Sequence, residues 1–227
     1  MNLNDLGTTP LNDGVDVANL PEQMGSFGPM VQPGAYRFQL PKLGPENFDA
    51  VESKDHGKRV RVKFDEKTPL LIVQAPPAFS DEFLNTAFRT QISNVPRRRG
   101  KAENAPVASD WDYLNRALGE TTRPANNAEY AKALIARSQQ NPPAQFTADV
   151  EVSYSCNPNR AARFDDGQGG TTEVTDPATG AIINGCGERV YQSAVAKVEG
   201  RYPERIVCPK CNASLRGFPD LTRFRAE

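Results

Sequence analysis

The sequence predicts a mainly β (α+β) protein that has a short helical insertion and a C-terminal subdomain built around four cysteines. Three observations lead to this prediction. Apolar and polar residues alternate over several short runs, which is the period of a β-strand with one buried face. Two segments with helical spacing and capping residues fall together, at about residues 108–140. Every cysteine of the chain lies beyond residue 155.

The composition is that of a folded protein without a membrane span. A chain of 227 residues is long enough for one or two domains with a real core, and 38% of its residues are hydrophobic. No apolar run approaches the length of about 18 residues that a membrane helix needs. Met1–Pro10 has neither a basic start nor an apolar stretch, so no secretory signal is expected. We therefore expect a cytoplasmic protein.

Charge is segregated along the chain, although the net charge is only −1. Residues 1–53 hold 2 basic and 7 acidic side chains, a net charge of −5. Residues 54–101 hold 11 basic and 5 acidic side chains, a net charge of +6. Residues 1–33 also lack an apolar period, which predicts a flexible acidic N-terminal arm. The basic block favours a negatively charged partner.

Apolar patterning predicts the first three strands. Ala35–Leu40 places three apolar side chains on one face. Arg59–Phe64 combines a dry face with a basic face, and Leu70–Val73 is a short apolar run. The turn residues Asp65–Pro69 between the last two runs predict that they form a hairpin-like pair.

Two groups of basic residues are the candidates for contact with nucleic acid, because lysine and arginine neutralise backbone phosphates. One group lies at the start and on the basic face of the second strand, and the other is an Arg-rich stretch after residue 96 that is expected to be a loop. The candidates are Lys58, Arg59, Arg61, Lys63, Arg97, Arg98, Arg99 and Lys101. The alternative for the Arg-rich stretch is a solvated loop. Tyr36, Phe38 and Phe64 could stack on bases, but their alternation places them first in the core.

The middle of the chain combines an ambiguous segment with two helices. Phe79–Phe88 has helical spacing, while a strand over Phe88–Val95 fits the pattern equally well. The first helix is expected to begin after the cap Ser109 and to end at Gly119. The second is expected to begin after the cap Asn126. Together they form the helical insertion.

The last third of the chain returns to strands. Phe146–Tyr154 alternates without interruption, and Arg189–Tyr191 and Arg205–Val207 are short strand signals close to cysteines. Phe164–Ala181, which is rich in aspartate and glycine near its start, is expected to be a long exposed loop.

The four cysteines predict one structural zinc site. Cys208 and Cys211 form a CxxC turn, which aims two thiolates at one point. Cys156 follows a predicted strand, and Cys186 lies between two glycines where the backbone can turn tightly. Successive cysteines are separated by 29, 21 and 2 residues. Four thiolates fill a tetrahedral zinc shell and leave no position for a catalytic water.

Three alternatives to zinc stay open: two disulfides, a redox-active CxxC, and plain buried thiols. Disulfides require an oxidising compartment. A redox CxxC would open a helix after a buried strand. The residues after Cys211 instead resemble the return of a zinc knuckle.

The sequence does not predict an enzyme. Its one histidine, His56, lies in a turn, and no partner for a nucleophile is recognisable. No phosphate-binding glycine motif precedes a helix, and the acidic residues are scattered. A non-catalytic binding role is therefore favoured.

The layout resembles the phage-encoded single-stranded-DNA-binding proteins of the OB-fold type. The resemblance rests on the strand at Gly34–Phe38, the basic hairpin and the helix that ends at Tyr113–Gly119, and it covers about residues 34–155. It implies an OB-like β-barrel at 34–155, and some viral single-strand binders also carry a structural zinc in or beside the barrel. Leu221–Glu227 lacks the acidic C-terminal tail of many such proteins, and the acidic segment lies at the N-terminus instead.

The resemblance implies non-catalytic single-stranded DNA binding in phage-type replication or recombination, in the bacterial host cytoplasm. Replication or recombination proteins are then candidate partners. Residues 156–227 would then form a zinc-ribbon-like subdomain packed on the barrel. Two rival functions remain open. One is a virion or assembly protein, and the other is a zinc-ribbon adaptor that binds a protein partner.

Overall fold

The computed structural model describes residues 29–54, 56–98, 107–168 and 170–225, and at 97, 98 and 107 it describes the backbone alone. Three α-helices and fourteen strands follow one another in these ranges. In chain order they are β1 (Gly34–Gln39), β2 (Phe48–Ser53), β3 (Gly57–Phe64), β4 (Leu70–Gln74), α1 (Ser80–Phe83), β5 (Ala87–Phe88), β6 (Thr90–Ser93), β7 (Arg97–Arg98), β8 (Val107–Ala108), α2 (Asp110–Ala117), α3 (Asn127–Ser138), β9 (Gln145–Ser155), β10 (Arg163–Asp165), β11 (Thr171–Glu173), β12 (Arg189–Tyr191), β13 (Arg205–Val207) and β14 (Ser214–Arg225).

The strands form antiparallel sheets, as expected for a mainly β protein. The largest has the order β13-β14-β9-β1-β4-β5, with β12 also paired to β9. A second sheet has the order β2-β3-β6, and two strand pairs, β7-β8 and β10-β11, stand apart from both. Within the described ranges these sheets are open, so the OB-like closed barrel expected for residues 34–155 is not found.

The described chain divides into two compact units. The first unit is Gly34–Asp149 together with residues 221–225, and the second unit is Val150–Asp220 together with residues 29–33. Strands β9 and β14 each contribute residues to both units. All four cysteines belong to the second unit. Residues 1–28 of the expected arm at 1–33 lie outside the described residues.

The core of the first unit is built from aromatic side chains that alternate along its strands. Tyr36 and Phe38 on β1 are 1% and 0% exposed, and the Phe38 ring lies 5.2 Å from that of Phe88 and 5.6 Å from that of Phe146. Phe64 on β3 is equally buried. The three aromatic candidates for base stacking are therefore core residues, as the alternation favoured.

The predicted pairing of the strands at 59–64 and 70–73 is wrong. Strand β3 pairs with β2 and β6, whereas β4 pairs with β1 and β5 in the other sheet. The Asp65 carboxylate accepts hydrogen bonds from the backbone amides of Lys67 and Thr68, which forms a turn that leads from one sheet into the other. The partner that the prediction missed is β2, where acidic residues interrupt the apolar pattern.

The helix boundaries follow the predicted caps. The Ser109 hydroxyl accepts from the Asp112 amide at 3.1 Å, and the Asp112 carboxylate accepts from the Ser109 amide at 2.8 Å, which completes a capping box. Asn126 caps α3 by accepting from the Glu129 amide at 3.0 Å. Gly119 ends the first helix with a φ of +85°, where glycine avoids steric strain. The ambiguous segment 79–95 contains both predicted structures: the short helix α1, then β5 and β6.

The expected exposed loop at 164–181 contains a small hairpin, β10-β11, whose register runs from Arg163 opposite Glu173 to Asp165 opposite Thr171. The two short strands predicted near the cysteines are confirmed as β12 and β13. Among the described helices, none combines the length and the apolar character that crossing a bilayer requires.

Candidate metal centre

Backbone hydrogen bonds bring two of the cysteines together. Cys156 comes directly after β9, and its amide donates to the Glu188 carbonyl while its carbonyl accepts from the Gly187 amide, each at 2.8 Å. This pairing places Cys186 beside Cys156. Gly185 has no room for a side chain, because a Cβ there would collide with the backbone of Asn157. Gly187 has a φ of +83°, so the glycines flanking Cys186 form the tight knuckle that the sequence predicts.

The other two cysteines lie in the turn after β13. The Cys208 amide donates to the Ala213 carbonyl at 2.7 Å, and the Asn212 amide donates back to the Cys208 carbonyl at 3.0 Å. Asn212 has a φ of +63°, which asparagine tolerates well. The turn closes the link between β13 and β14, and its CxxC sequence directs both thiols to the same side.

The structure brings the four predicted ligands to one point. The Sγ atoms of Cys156, Cys186, Cys208 and Cys211 all lie within 4.8 Å of one another. The Cys156–Cys211 and Cys186–Cys208 sulfur pairs are each 3.6 Å apart, and all four cysteines are free. A tetrahedral zinc at about 2.3 Å from each sulfur separates neighbouring sulfurs by about 3.8 Å. The donor set and the spacing therefore fit a four-thiolate metal site, whereas disulfides are not formed.

Backbone amides surround the sulfurs. The Cys186 amide donates to Cys156 Sγ at 3.2 Å. The Glu188 amide donates to the sulfur of Cys186, and the amides of Lys210 and Cys211 donate to that of Cys208. Such donors stabilise the negative charge of a thiolate and orient the ligands.

Burial and these donors act in opposite directions on the thiols. Burial raises the pKa of Cys156 to about 12, and it also raises the pKa of Cys208. At Cys186 burial opposes ionisation, but the Glu188 amide and the neighbouring thiols outweigh it and lower the pKa to about 7. Four thiolates this close repel one another, so a dication is the natural source of the charge that lets all of them ionise.

The cysteines are part of the core of the second unit. Cys156 and Cys208 are 3% and 0% exposed, and they share one buried cluster with Tyr154 and Leu215. Cys186 and Cys211 pack against that cluster from its partly exposed side. A metal held here would cross-link the ends of β9 and β13 and the loop between them.

Only some of the predicted nucleic-acid contacts can be placed together. Arg59, Arg61 and Lys63 lie on the face of β3 opposite Val60, Val62 and Phe64, as predicted. Lys58 is exposed at the start of the strand and belongs to the other face by alternation.

A carboxylate that the prediction missed, Asp49, lies directly opposite Arg61 on β2. It forms ion pairs of 2.6 Å with Arg61 and 2.7 Å with Lys63. Burial opposes ionisation of Asp49, but hydrogen bonds from these two cations hold its pKa below the usual range. The face thus presents three cations and one carboxylate.

The Arg-rich stretch is partly outside the described residues. Arg97 and Arg98 form β7, which pairs with β8 so that Arg97 lies opposite Ala108 and Arg98 opposite Val107. Arg99 and Lys101 lie outside the described residues. The backbone at 97–98 is therefore a short strand where the sequence predicted a loop.

Comparison of the chain with protein-family models, curated proteins and solved structures finds no match.

Proposed function

We propose that the four cysteines hold a structural zinc ion and that the second unit is a zinc-ribbon-like module. The carrying observation is the convergence of four sulfurs within 4.8 Å from segments separated by up to 29 residues. Four thiolates in tetrahedral array suit zinc, and a filled shell leaves the metal no catalytic position. The metal would then connect the end of β9 to the short strands β12 and β13, in which no residue is fully buried.

Native mass spectrometry and metal analysis test the centre. We expect one zinc per chain, and Cys208→Ser should lose it. His56→Ala is the matched control, because it removes the chain's one imidazole from the first unit and should keep the zinc. Four titratable thiols in a protein purified without chelator, with no bound metal, would refute the proposal. Iron in place of zinc would keep the site and change the metal.

We further propose that the protein binds single-stranded DNA without catalysis, in phage-type replication or recombination. The supporting observation is the face of β3, where Arg59, Arg61 and Lys63 line up against a single carboxylate. Cations in a row can follow a phosphate backbone, and each neutralised phosphate releases counterions. The open sheets add no support to the OB-like barrel, which rests on the order of elements in the sequence.

A salt series with a fluorescent single-stranded oligonucleotide, beside the matching duplex, tests this function. We expect a preference for the single strand and an affinity that falls linearly with salt on logarithmic axes. Replacement of Arg97, Arg98 and Arg99 by alanine should reduce the salt slope, whereas Lys132→Ala on α3 should not. The function is ruled out if the oligonucleotide does not bind even at low salt.

A protein-binding role is the second candidate, as a zinc-ribbon adaptor or an assembly protein. The segment between β11 and β12 exposes Val174, Ile182 and Ile183, which are 38%, 55% and 36% accessible. Backbone hydrogen bonding from Ile183 to Val174 brings these side chains close in the fold. Exposed apolar groups of this kind mark contact sites. Stable high-order oligomers without salt-dependent DNA binding would favour this candidate.

A further inference from the structure

The sheet of the second unit has one face in the core and one face toward solvent. Val190 of β12 lies opposite Tyr154 of β9, and Ile206 of β13 lies opposite Leu215 of β14. All four belong to the core of this unit or pack against it. Because side chains alternate along a strand, their neighbours in sequence point to the opposite side, which we call the outer face.

The outer face carries two exposed aromatic rings. Tyr191 lies opposite Ser153 and is 58% exposed, and Phe218 is 55% exposed on β14, one residue after the buried Gly217. β12 and β14 are both neighbours of β9. Strand spacing therefore places the two rings on strands roughly 10 Å apart. Rings presented on a flat sheet are the platform on which unpaired bases stack.

Three arginines lie on the same outer face. Arg189 lies opposite Ser155, with its guanidinium 5.8 Å from the centre of the Tyr191 ring. Arg205 and Arg216 are directly opposite each other on β13 and β14. Guanidinium groups in neighbouring positions on two strands can contact successive phosphates of a nucleic acid backbone. Glu151 and Asp220 are the carboxylates that alternation places here, which leaves three cations against two anions.

We propose that single-stranded nucleic acid lies across this outer face, with bases on Tyr191 and Phe218 and phosphates toward Arg189, Arg205 and Arg216. This inference rests on the proposed DNA-binding function and assigns it a surface that the sequence did not indicate. A duplex hides the flat faces of its bases and cannot use exposed rings in this way. A second copy of the chain docked on this face would bring two outer faces of net positive charge together, and these would repel each other.

The metal centre supports this surface directly. β12 begins three residues after Cys186, and β13 ends immediately before Cys208. The ligands therefore fix the two short strands that present Arg189, Tyr191 and Arg205. Neither strand has more than three residues, so their positions depend on the cysteines at their ends.

Affinity for a fluorescent single-stranded oligonucleotide, measured across a salt series, tests the surface. Tyr191→Ser and Phe218→Ser should each weaken binding roughly 5- to 100-fold without changing the salt slope, because stacking involves no counterion release. Arg205→Ala should lower the magnitude of the slope by about 0.7. Leu84→Ser, which alters an exposed apolar side chain of the first unit, is the matched control and should bind as the original protein does. Zinc content and circular dichroism confirm that each variant folds.

The outcomes separate this surface from the proposed function. If the original protein binds and the Tyr191 and Phe218 variants bind equally well, the surface is wrong while DNA binding stands. If the original protein does not bind at low salt, both are wrong. A protein or a second copy on this face would appear as a partner-dependent loss of exposure of Tyr191 and Phe218 without oligonucleotide binding, which also overturns the proposal.

Discussion

The two units differ in how they achieve a stable core. Of the eleven largest fully buried side chains in the described residues, ten belong to the first unit and one, Tyr154, to the second. The exposed large hydrophobic side chains are distributed in the opposite way, since seven of eight belong to the second unit. The first unit is thus stabilised by apolar burial, and the second has its cysteine cluster where a larger core would lie.

Metal removal should give the largest effect and the clearest difference between the two units. Chelation, or Cys208→Ser, should unfold the second unit, because structural zinc contributes about 10–16 kcal/mol in small modules, as much as a whole domain's stability. Hydrogen exchange should then show lost protection at 150–220 and retained protection at 34–149. Equal loss in both units, or none in either, would contradict a metal-dependent second unit.

A core truncation should have the converse effect on the first unit. Trp111 is completely buried, and its ring lies 5.8 Å from that of Phe48 and 5.7 Å from that of Tyr130. Trp111→Ala should lower the free energy of unfolding by about 3–5 kcal/mol. Chemical denaturation, monitored by hydrogen exchange, measures the loss in free energy of unfolding. Zinc content should stay at one per chain. A variant that lost zinc instead would show that the units do not differ in this respect. Trp111→Phe, which keeps an aromatic ring there, is the control.

The aromatic core could be predicted from sequence because apolar side chains at every second position of a strand mark its buried face. β1, β3 and β9 are recovered in this way, and the caps Ser109 and Asn126 fix the starts of the helices through local hydrogen bonds. Strand partners were harder to predict. The hairpin of β3 with β4 fails because an Asx turn at Asp65 redirects the chain, which spacing alone does not reveal.

The candidate metal centre was predictable for a different reason. Cysteines are rare, so four in one region restrict the set of possible metal ligands. The CxxC turn and the glycines beside Cys186 are typical of metal-binding turns. The outer face was not predictable. Tyr191 lies in a three-residue strand, and Phe218 lies in β14, where Gly217 and Pro219 disrupt the pattern of a strand. Asp49 was missed because its charge pairs only through the register of β2 with β3.

Acid should destabilise the first unit through Asp112. Burial opposes its ionisation, but hydrogen bonds from Tyr130 at 2.6 Å and from Ser109, and the charge of Arg123, lower its pKa. A carboxylate with a lowered folded pKa adds stability above its ordinary pKa of about 4, and this stability is lost as the pH falls through the folded value.

Asp112→Asn should therefore cost about 1–3 kcal/mol at pH 7, and the difference from the original protein should shrink below about pH 4. Denaturant titrations at several pH values measure both quantities. Asp110→Asn, in the same first turn of α2, controls for the loss of a charge near the helix N-terminus. A difference that stays constant down to pH 2 would show that the carboxylate contributes through packing rather than charge.

The smallest effect should come from Asp49→Asn, which tests which of the two units contacts phosphate. The Asp49 pairs with Arg61 and Lys63 are between a quarter and a half exposed, so their loss should change the free energy of unfolding by no more than about 1 kcal/mol. If phosphates reach the face of β3, the two released cations should tighten oligonucleotide binding and steepen the salt slope by up to about 1.4. Glu66→Gln, which removes one ion pair of Arg89 elsewhere in the first unit, is the matched control. Unchanged binding in Asp49→Asn together with weakened binding in Arg205→Ala would place the phosphates on the second unit alone. The basic face of β3 would then be a solvated sheet surface whose cations serve mainly to hold Asp49.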